Sequence, residues 1–233
     1  MKRVLREHWP EYLCEAAELG LFMISAGLFT ILLYHPSSPV LNFIPSEFTR
    51  RMLTGIAMGS TAIALVFSPL GKRSGAHFNP AVTVGVWIRG KCARSDVAGY
   101  FAAQFLAAVA AALAVLAFKG NPQHVTPGEI KVVPALCGEL IGTFALVYVI
   151  LNVATSKDTA GNSNYGLAIG FTVMAMAYAF SAASGAVFNP AVAVGITIMH
   201  LAKASNLWIY FAAEVVAAAL AAAAFLWMNP HDK

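Results

Sequence analysis

The chain has 233 residues, of which 59% are hydrophobic and only 11% charged, with a mean hydropathy of +0.69. Soluble domains carry about 25% charged residues, so a soluble protein with buried helices is excluded, and the length is better counted in spans of about 20 apolar residues. The net charge of +4 calls for no nucleic-acid partner, because the excess basic residues fall on one predicted face of a membrane.

Six spanning helices are expected, at roughly 12–34, 51–70, 97–118, 134–155, 165–183 and 205–228. The basic start Met1-Lys2-Arg3-Val4-Leu5-Arg6 precedes a long apolar stretch with Glu15 and Glu18 at its beginning. A cleaved signal peptide has a shorter apolar core and a small-residue cleavage site, so this stretch reads as a retained first helix. With both termini on one side, that side holds ten basic residues: Lys2, Arg3, Arg6, Lys72, Arg73, Arg89, Lys91, Arg94, Lys157 and Lys233. The other holds five, Arg50, Arg51, Lys119, Lys131 and Lys203. The positive-inside rule then places both termini in the cytoplasm.

Between the second and third spans lies Ser74-Gly75-Ala76-His77-Phe78-Asn79-Pro80-Ala81-Val82-Thr83-Val84-Gly85. It recurs 110 residues later as Ser184-Gly185-Ala186-Val187-Phe188-Asn189-Pro190-Ala191-Val192-Ala193-Val194-Gly195, identical at ten of twelve positions. Tyr100-Phe101-Ala102-Ala103-Gln104 and Tyr210-Phe211-Ala212-Ala213-Glu214 keep the same offset. The chain is therefore a duplication, with repeats at about 10–118 and 133–228 within one membrane domain, joined by a polar connector at 119–133. Each repeat holds three spans. An odd number forces the copies to insert in opposite orientations, which makes an inverted-topology repeat.

The duplicated segment reads as a loop followed by a half-helix. Asn is a preferred N-cap and Pro suits the first helical position. From Asn79 to about Arg89, or Asn189 to about His200, the helix covers about 16–18 Å at 1.5 Å per residue, half a bilayer. The two half-helices then meet at the midplane with their positive ends facing each other. Non-helical backbone at that depth is tolerated only when buried in protein or lining a water-filled cavity. The extended Ser-Gly-Ala-x-Phe carbonyls and the Asn79 and Asn189 amides thus form a polar track that disfavours cations and protons.

Paired Asn-Pro-Ala motifs on inverted halves, the run Ser-Gly-Ala-His-Phe-Asn-Pro-Ala-Val-Thr, and Glu18 and Glu139 in the first and fourth spans resemble the major intrinsic protein family of aquaporins and aquaglyceroporins. The resemblance covers residues 12–228. It implies an all-α membrane fold of six transmembrane helices plus two re-entrant half-helices, a pore in each subunit, and a homotetramer. Asn79 and Asn189 would then donate hydrogen bonds to solute, while Pro80, Ala81, Pro190 and Ala191 start the half-helices and let them touch. Glu18 and Glu139 would accept hydrogen bonds from the re-entrant loop backbones. Gln104 and Glu214 would do similar work, although Pro is common in the family where Glu214 stands. His77 either lines the cytoplasmic part of the pore or braces the loop.

One departure from the family pattern bears on selectivity. Members usually continue the second motif as Asn-Pro-Ala-Arg, and that Arg forms the outer filter with an aromatic residue and often a His. Here Val192 follows Ala191. Spacing from each Asn carries the remaining filter positions to Gly59, Ala177 and Ala186. A filter of Gly59, Ala177, Ala186 and Val192 is wide and uncharged unless Phe180 or Tyr178 swings in to narrow it.

The reading is a passive channel, not an enzyme, for glycerol, urea, hydrogen peroxide, undissociated metalloid hydroxides such as arsenous acid, and water. It needs no cofactor and no metal. Cys14, Cys92 and Cys137 lack ligand spacing and serve as small apolar fillers. Alternatives are a water-selective pore, a proton-coupled secondary transporter using the intramembrane acids, and a non-conducting scaffold. The expected setting is the lipid of the cell membrane.

Overall fold

The computed structural model describes residues 7–119 and 129–232. The expected connector at 119–133 therefore lies largely outside the described residues, as do Lys2, Arg3, Arg6 and Lys233 of the charge count. In the first half, α1 is Trp9–Tyr34, α2 the single turn Val40–Phe43, and α3 Glu47–Phe67. They are followed by α4, Pro69–Ser74, α5, Pro80–Ile88, and α6, Arg94–Lys119. The second half opens with α7, Val132–Ile150, which runs on through a π-helical turn at Leu151–Thr155. Then come α8, Tyr165–Ser184, α9, Pro190–Ile198, and α10, Leu207–Met228. The described residues are helical or irregular, with no strand among them.

Helices α1, α6, α7, α8 and α10 are long and apolar enough to cross a membrane. Helix α3 has the length, 21 residues, but is less apolar. It opens on Glu47, Arg50 and Arg51 and carries Thr54, Ser60 and Thr61 along its course. Local chemistry sets its ends. Ser46 caps its start by accepting from the Thr49 N–H at 3.3 Å. At its end Ser68 accepts from Gly71 N–H at 3.1 Å and begins a new turn at Pro69. The expected second span to residue 70 thus stops at Phe67.

The packing repeats between the halves. Helix α1 packs on α6 and on α3, and α7 packs in the same way on α10 and on α8. The half-helices cross over: α5 of the first half lies against α10 of the second, and α9 lies against α6. Helices α3 and α8 form the largest contact between the halves. Small residues make these approaches possible, because lipid supplies no hydrophobic drive and close backbone packing must hold helices together. Ala107, Ala108, Ala111 and Ala112 on α6 are buried, as are Ala213, Ala217, Ala218, Ala221 and Ala222 on α10.

The half-helices are shorter than the eleven or twelve residues expected, at nine each. Left-handed C-terminal caps stop them. Gly90 and His200, at matched positions, take φ +82° and +58°. The following N–H groups of Lys91 and Leu201 reach back to Val86 and Ile196 carbonyls at 3.0 and 2.8 Å. This six-to-one closure satisfies carbonyls that would otherwise be orphaned at a buried helix end.

Candidate pore and its supporting network

The two loops that precede the half-helices are strained in the same way. Gly75 and Gly185 have φ +91° and +90°, but Ala76, Phe78, Ala186 and Phe188 also lie at positive φ, between +27° and +55°. Side chains rarely adopt that region, and it persists only where surrounding contacts over-determine it. Those contacts are present. Glu139 accepts from the N–H groups of Val187 and Phe188 at 2.9 and 2.7 Å, and from the Ser184 hydroxyl at 2.5 Å. The Ser184 carbonyl accepts from the Tyr210 hydroxyl at 2.8 Å.

In the first half, two acids share this work. Glu15 accepts from the N–H groups of His77 and Phe78 at 2.8 and 2.6 Å. Glu18, expected to take the loop backbone, instead receives the Ser74 hydroxyl at 2.6 Å. The sequence reading passed over Glu15 as a loop support. Its signal was the spacing of three from Glu18, which puts both acids on one face of α1. Gln104 donates to Glu15 at 2.8 Å and to the Thr83 hydroxyl at 3.1 Å. Glu15, Glu18, Gln104, Glu139 and Glu214 are all fully buried.

The asparagines sit where the half-helices meet. Asn79 Nδ2–H donates to the Phe188 carbonyl at 2.8 Å, and Asn189 Nδ2–H donates to the Phe78 carbonyl at 2.9 Å. Each side-chain oxygen accepts from its own helix, Asn79 from Ala81 N–H at 2.8 Å and Asn189 from Ala191 and Val192 N–H at 3.1 and 3.3 Å. Capping thus engages the oxygen of each, with one bond on Asn79 and two on Asn189. One amide hydrogen remains on each, so both residues can offer a donor toward a neighbouring cavity. Pro80, Ala81, Pro190 and Ala191 are buried at this junction.

A cavity of about 160 Å³ runs past both asparagines. Its wall includes Ala177, Ala186 and Val192, which the sequence grouped as filter residues, together with His77. Gly59 is not part of that wall. A Cβ at Gly59 would meet Met174 Cγ at 2.2 Å and the Gly170 carbonyl at 2.5 Å, so it faces α8. From α3 the wall is built by Thr54, Met58 and Ala62, spaced four apart on one face. Counting back from Asn79 lands one residue off this stripe, and the four-residue spacing was the available signal. Neither Phe180 nor Tyr178 narrows the cavity. Phe180 packs edge-on against Phe188 with ring centroids 6.5 Å apart, and Tyr178 against Phe48 at 5.4 Å.

His77 borders the cavity and also contacts the half-helix that follows it. Its Nδ1 lies 3.2 Å from the Thr83 hydroxyl and its ring 4.8 Å from that of Tyr100. Ser181, one turn beyond Ala177 on α8, is a wall residue the sequence reading missed; its hydroxyl has no protein partner. Among the described residues the wall contains no Lys, Arg, Asp or Glu.

The comparisons with known proteins agree with this geometry. The sequence model of the family described as "Major intrinsic protein" matches residues 6–225. The probable aquaporin AqpM of Archaeoglobus fulgidus is 32% identical over 226 residues, covering 87% of this chain and 92% of the relative. The aquaporin NIP1-3 of Oryza sativa subsp. japonica is 36% identical over 181 residues, covering 76% of this chain and 62% of the relative. The X-ray structure of the aquaglyceroporin from Plasmodium falciparum superposes with a TM-score of 0.72 at 20% identity, over 97% of this chain and 96% of that one; at that identity it establishes the fold. The chain belongs to the major intrinsic protein family, whose members are membrane channels and passive transporters rather than enzymes.

Proposed function

We propose that the protein conducts water and small uncharged solutes larger than water, such as glycerol, urea, hydrogen peroxide and undissociated metalloid hydroxides. The observation that carries this reading is the wall at Ala177, Ala186 and Val192, all small or medium and apolar, on a cavity of about 160 Å³ that among the described residues has no Lys, Arg, Asp or Glu in its lining. An Arg at position 192 would hold a fixed cation and a strong donor there. Val192 offers neither, so passage depends on size and on polar groups elsewhere.

Those polar groups lie along one track. A solute oxygen meets the free amide hydrogens of Asn79 and Asn189, reinforced by two helix N-termini pointing at the same place. Thr30, Thr54, His77 and Ser181 add polar side chains to a wall that is apolar for most of its lining. Cations are disfavoured by the positive helix ends, and protons by the asparagine amide donors, which orient waters on either side in opposite directions. The homotetramer, the cell membrane and cytoplasmic termini complete this reading.

Stopped-flow light scattering on proteoliposomes decides it. Glycerol and urea uptake well above that of empty liposomes is the expected result. Water permeation with exclusion of every larger solute would replace the reading with a water-selective pore. Saturable uptake driven by a proton gradient would replace it with a transporter.

A further inference from the structure

The two loop-supporting sites share one plan, a carboxylate taking two loop N–H groups and a partner residue on the neighbouring long helix, but the partner differs. In the first half the Glu15 carboxylate holds the loop, and Gln104 Nε2–H donates to its Oε2 at 2.8 Å. In the second half Glu139 holds the loop, and the residue 110 positions after Gln104 is Glu214. Glu214 lies within hydrogen-bonding reach of Glu139 and of the Asn189 backbone N–H. Neither of its oxygens has a protein donor at full hydrogen-bond geometry.

Two buried carboxyl groups are therefore in contact, and both have zero exposure. Glu139 already accepts from Ser184, Val187 and Phe188. Among the described residues Tyr210, on the same helix as Glu214, also faces the pair, and its hydroxyl is donated to the Ser184 carbonyl. Helices α5 and α9, packed against α10, carry no titratable residue along Pro80–Ile88 or Pro190–Ile198. Among the described residues neither acid takes part in an ion pair. Like charges at contact in a water-excluded site cannot both persist.

We infer that Glu214 is a positioning residue carried as a neutral carboxylic acid, whose O–H donates to the Glu139 carboxylate as the Gln104 amide donates to Glu15. One proton stays with the pair, and one negative charge remains on Glu139 to hold the loop. The free carbonyl oxygen of Glu214 faces the Asn189 N–H. Glu214 thereby fixes the backbone of the second asparagine through Glu139. Neither acid lines the cavity, so the proton is structural and does not travel with solute.

The test uses the full chain reconstituted in lipid vesicles. Infrared difference spectra between wild type and Glu214→Gln should show the carbonyl stretch of a protonated carboxylic acid in wild type only, unchanged as the buffer goes from mildly acidic to mildly basic. Glu214→Leu should lower solute permeation about tenfold, the factor for losing one hydrogen bond to a buried charge, and Glu214→Gln should rescue it. The same band in Glu214→Gln, its absence from wild type, or full permeation by Glu214→Leu would each overturn the assignment. The infrared result stands whichever solute the channel carries, so its failure is distinct from failure of the proposed function.

Discussion

Gly59 and Gly170 meet backbone to backbone where α3 crosses α8. A Cβ on Gly59 would lie 2.5 Å from the Gly170 carbonyl oxygen, and one on Gly170 would lie 2.7 Å from the Gly59 carbonyl. No side-chain rotation relieves an overlap with backbone. We expect Gly59→Ala to lower stability by about 1–3 kcal/mol, the usual cost of forcing extra volume into a packed contact. Thermal unfolding in detergent measures this. Solute selectivity of the inserted fraction should stay as in wild type, since position 59 faces α8; a selectivity change would return it to the pore wall.

The acids of α1 should differ in weight. Glu15→Ala leaves two backbone N–H groups and the Gln104 amide without their acceptor, at about 1–3 kcal/mol for each buried group left unpaired. Glu18→Ala orphans only the Ser74 hydroxyl. Denaturation of the two purified variants should therefore show the larger loss for Glu15→Ala. Equal losses, or the reverse order, would contradict the division of labour between them.

Val192 is 6% exposed and borders the cavity. Val192→Arg places a cation and a bulky fork across that wall. Glycerol uptake should fall about tenfold or more, equivalent to at least about 1.4 kcal/mol on the barrier, with water affected less. Parallel stopped-flow measurements with matched amounts of inserted protein provide the check. Unchanged glycerol uptake would remove Val192 from the filter.

A pH effect is expected at the N-terminal end of α1. His8 Nδ1 lies 2.8 Å from Asp96 Oδ1, which also accepts from the Tyr12 hydroxyl at 2.8 Å. The hydrogen bond to Asp96, then the charge of that carboxylate, raises the His8 pKa above its ordinary value of 6.5. A group whose pKa is raised on folding contributes fully below its unfolded value, and the contribution disappears as pH rises through the folded one. The melting-temperature gap between wild type and His8→Asn should be widest in mildly acidic buffer and close as the buffer becomes basic. Exposure of His8 keeps the effect small. A gap that widens with pH would refute the sign.

Much of this molecule was legible from one repeated dozen of residues. Duplication, an odd number of spans per copy and the Asn-Pro start of each half-helix lead to the crossed arrangement of α5 and α9. What was not legible came from rotation about a helix axis. Gly59 and Met58 are neighbours in sequence, yet one faces α8 and the other the cavity. Glu15 and Glu18 share a face, and only the path of the loop decides which acid receives its backbone. Counting along a chain locates depth in a membrane well and azimuth poorly.

The reciprocal bonds between Asn79 and the Phe188 carbonyl, and between Asn189 and the Phe78 carbonyl, also set an order of events during synthesis. The first three long helices leave the ribosome well before Phe188 exists. Until then the Asn79 amide has no carbonyl to meet, and α5 has no α10 to lie against. Settling of the first loop at mid-depth is therefore a late step that waits for the last helix. A nascent chain arrested before Leu207 should leave the Asn79 loop open to water-soluble labels that the finished protein excludes.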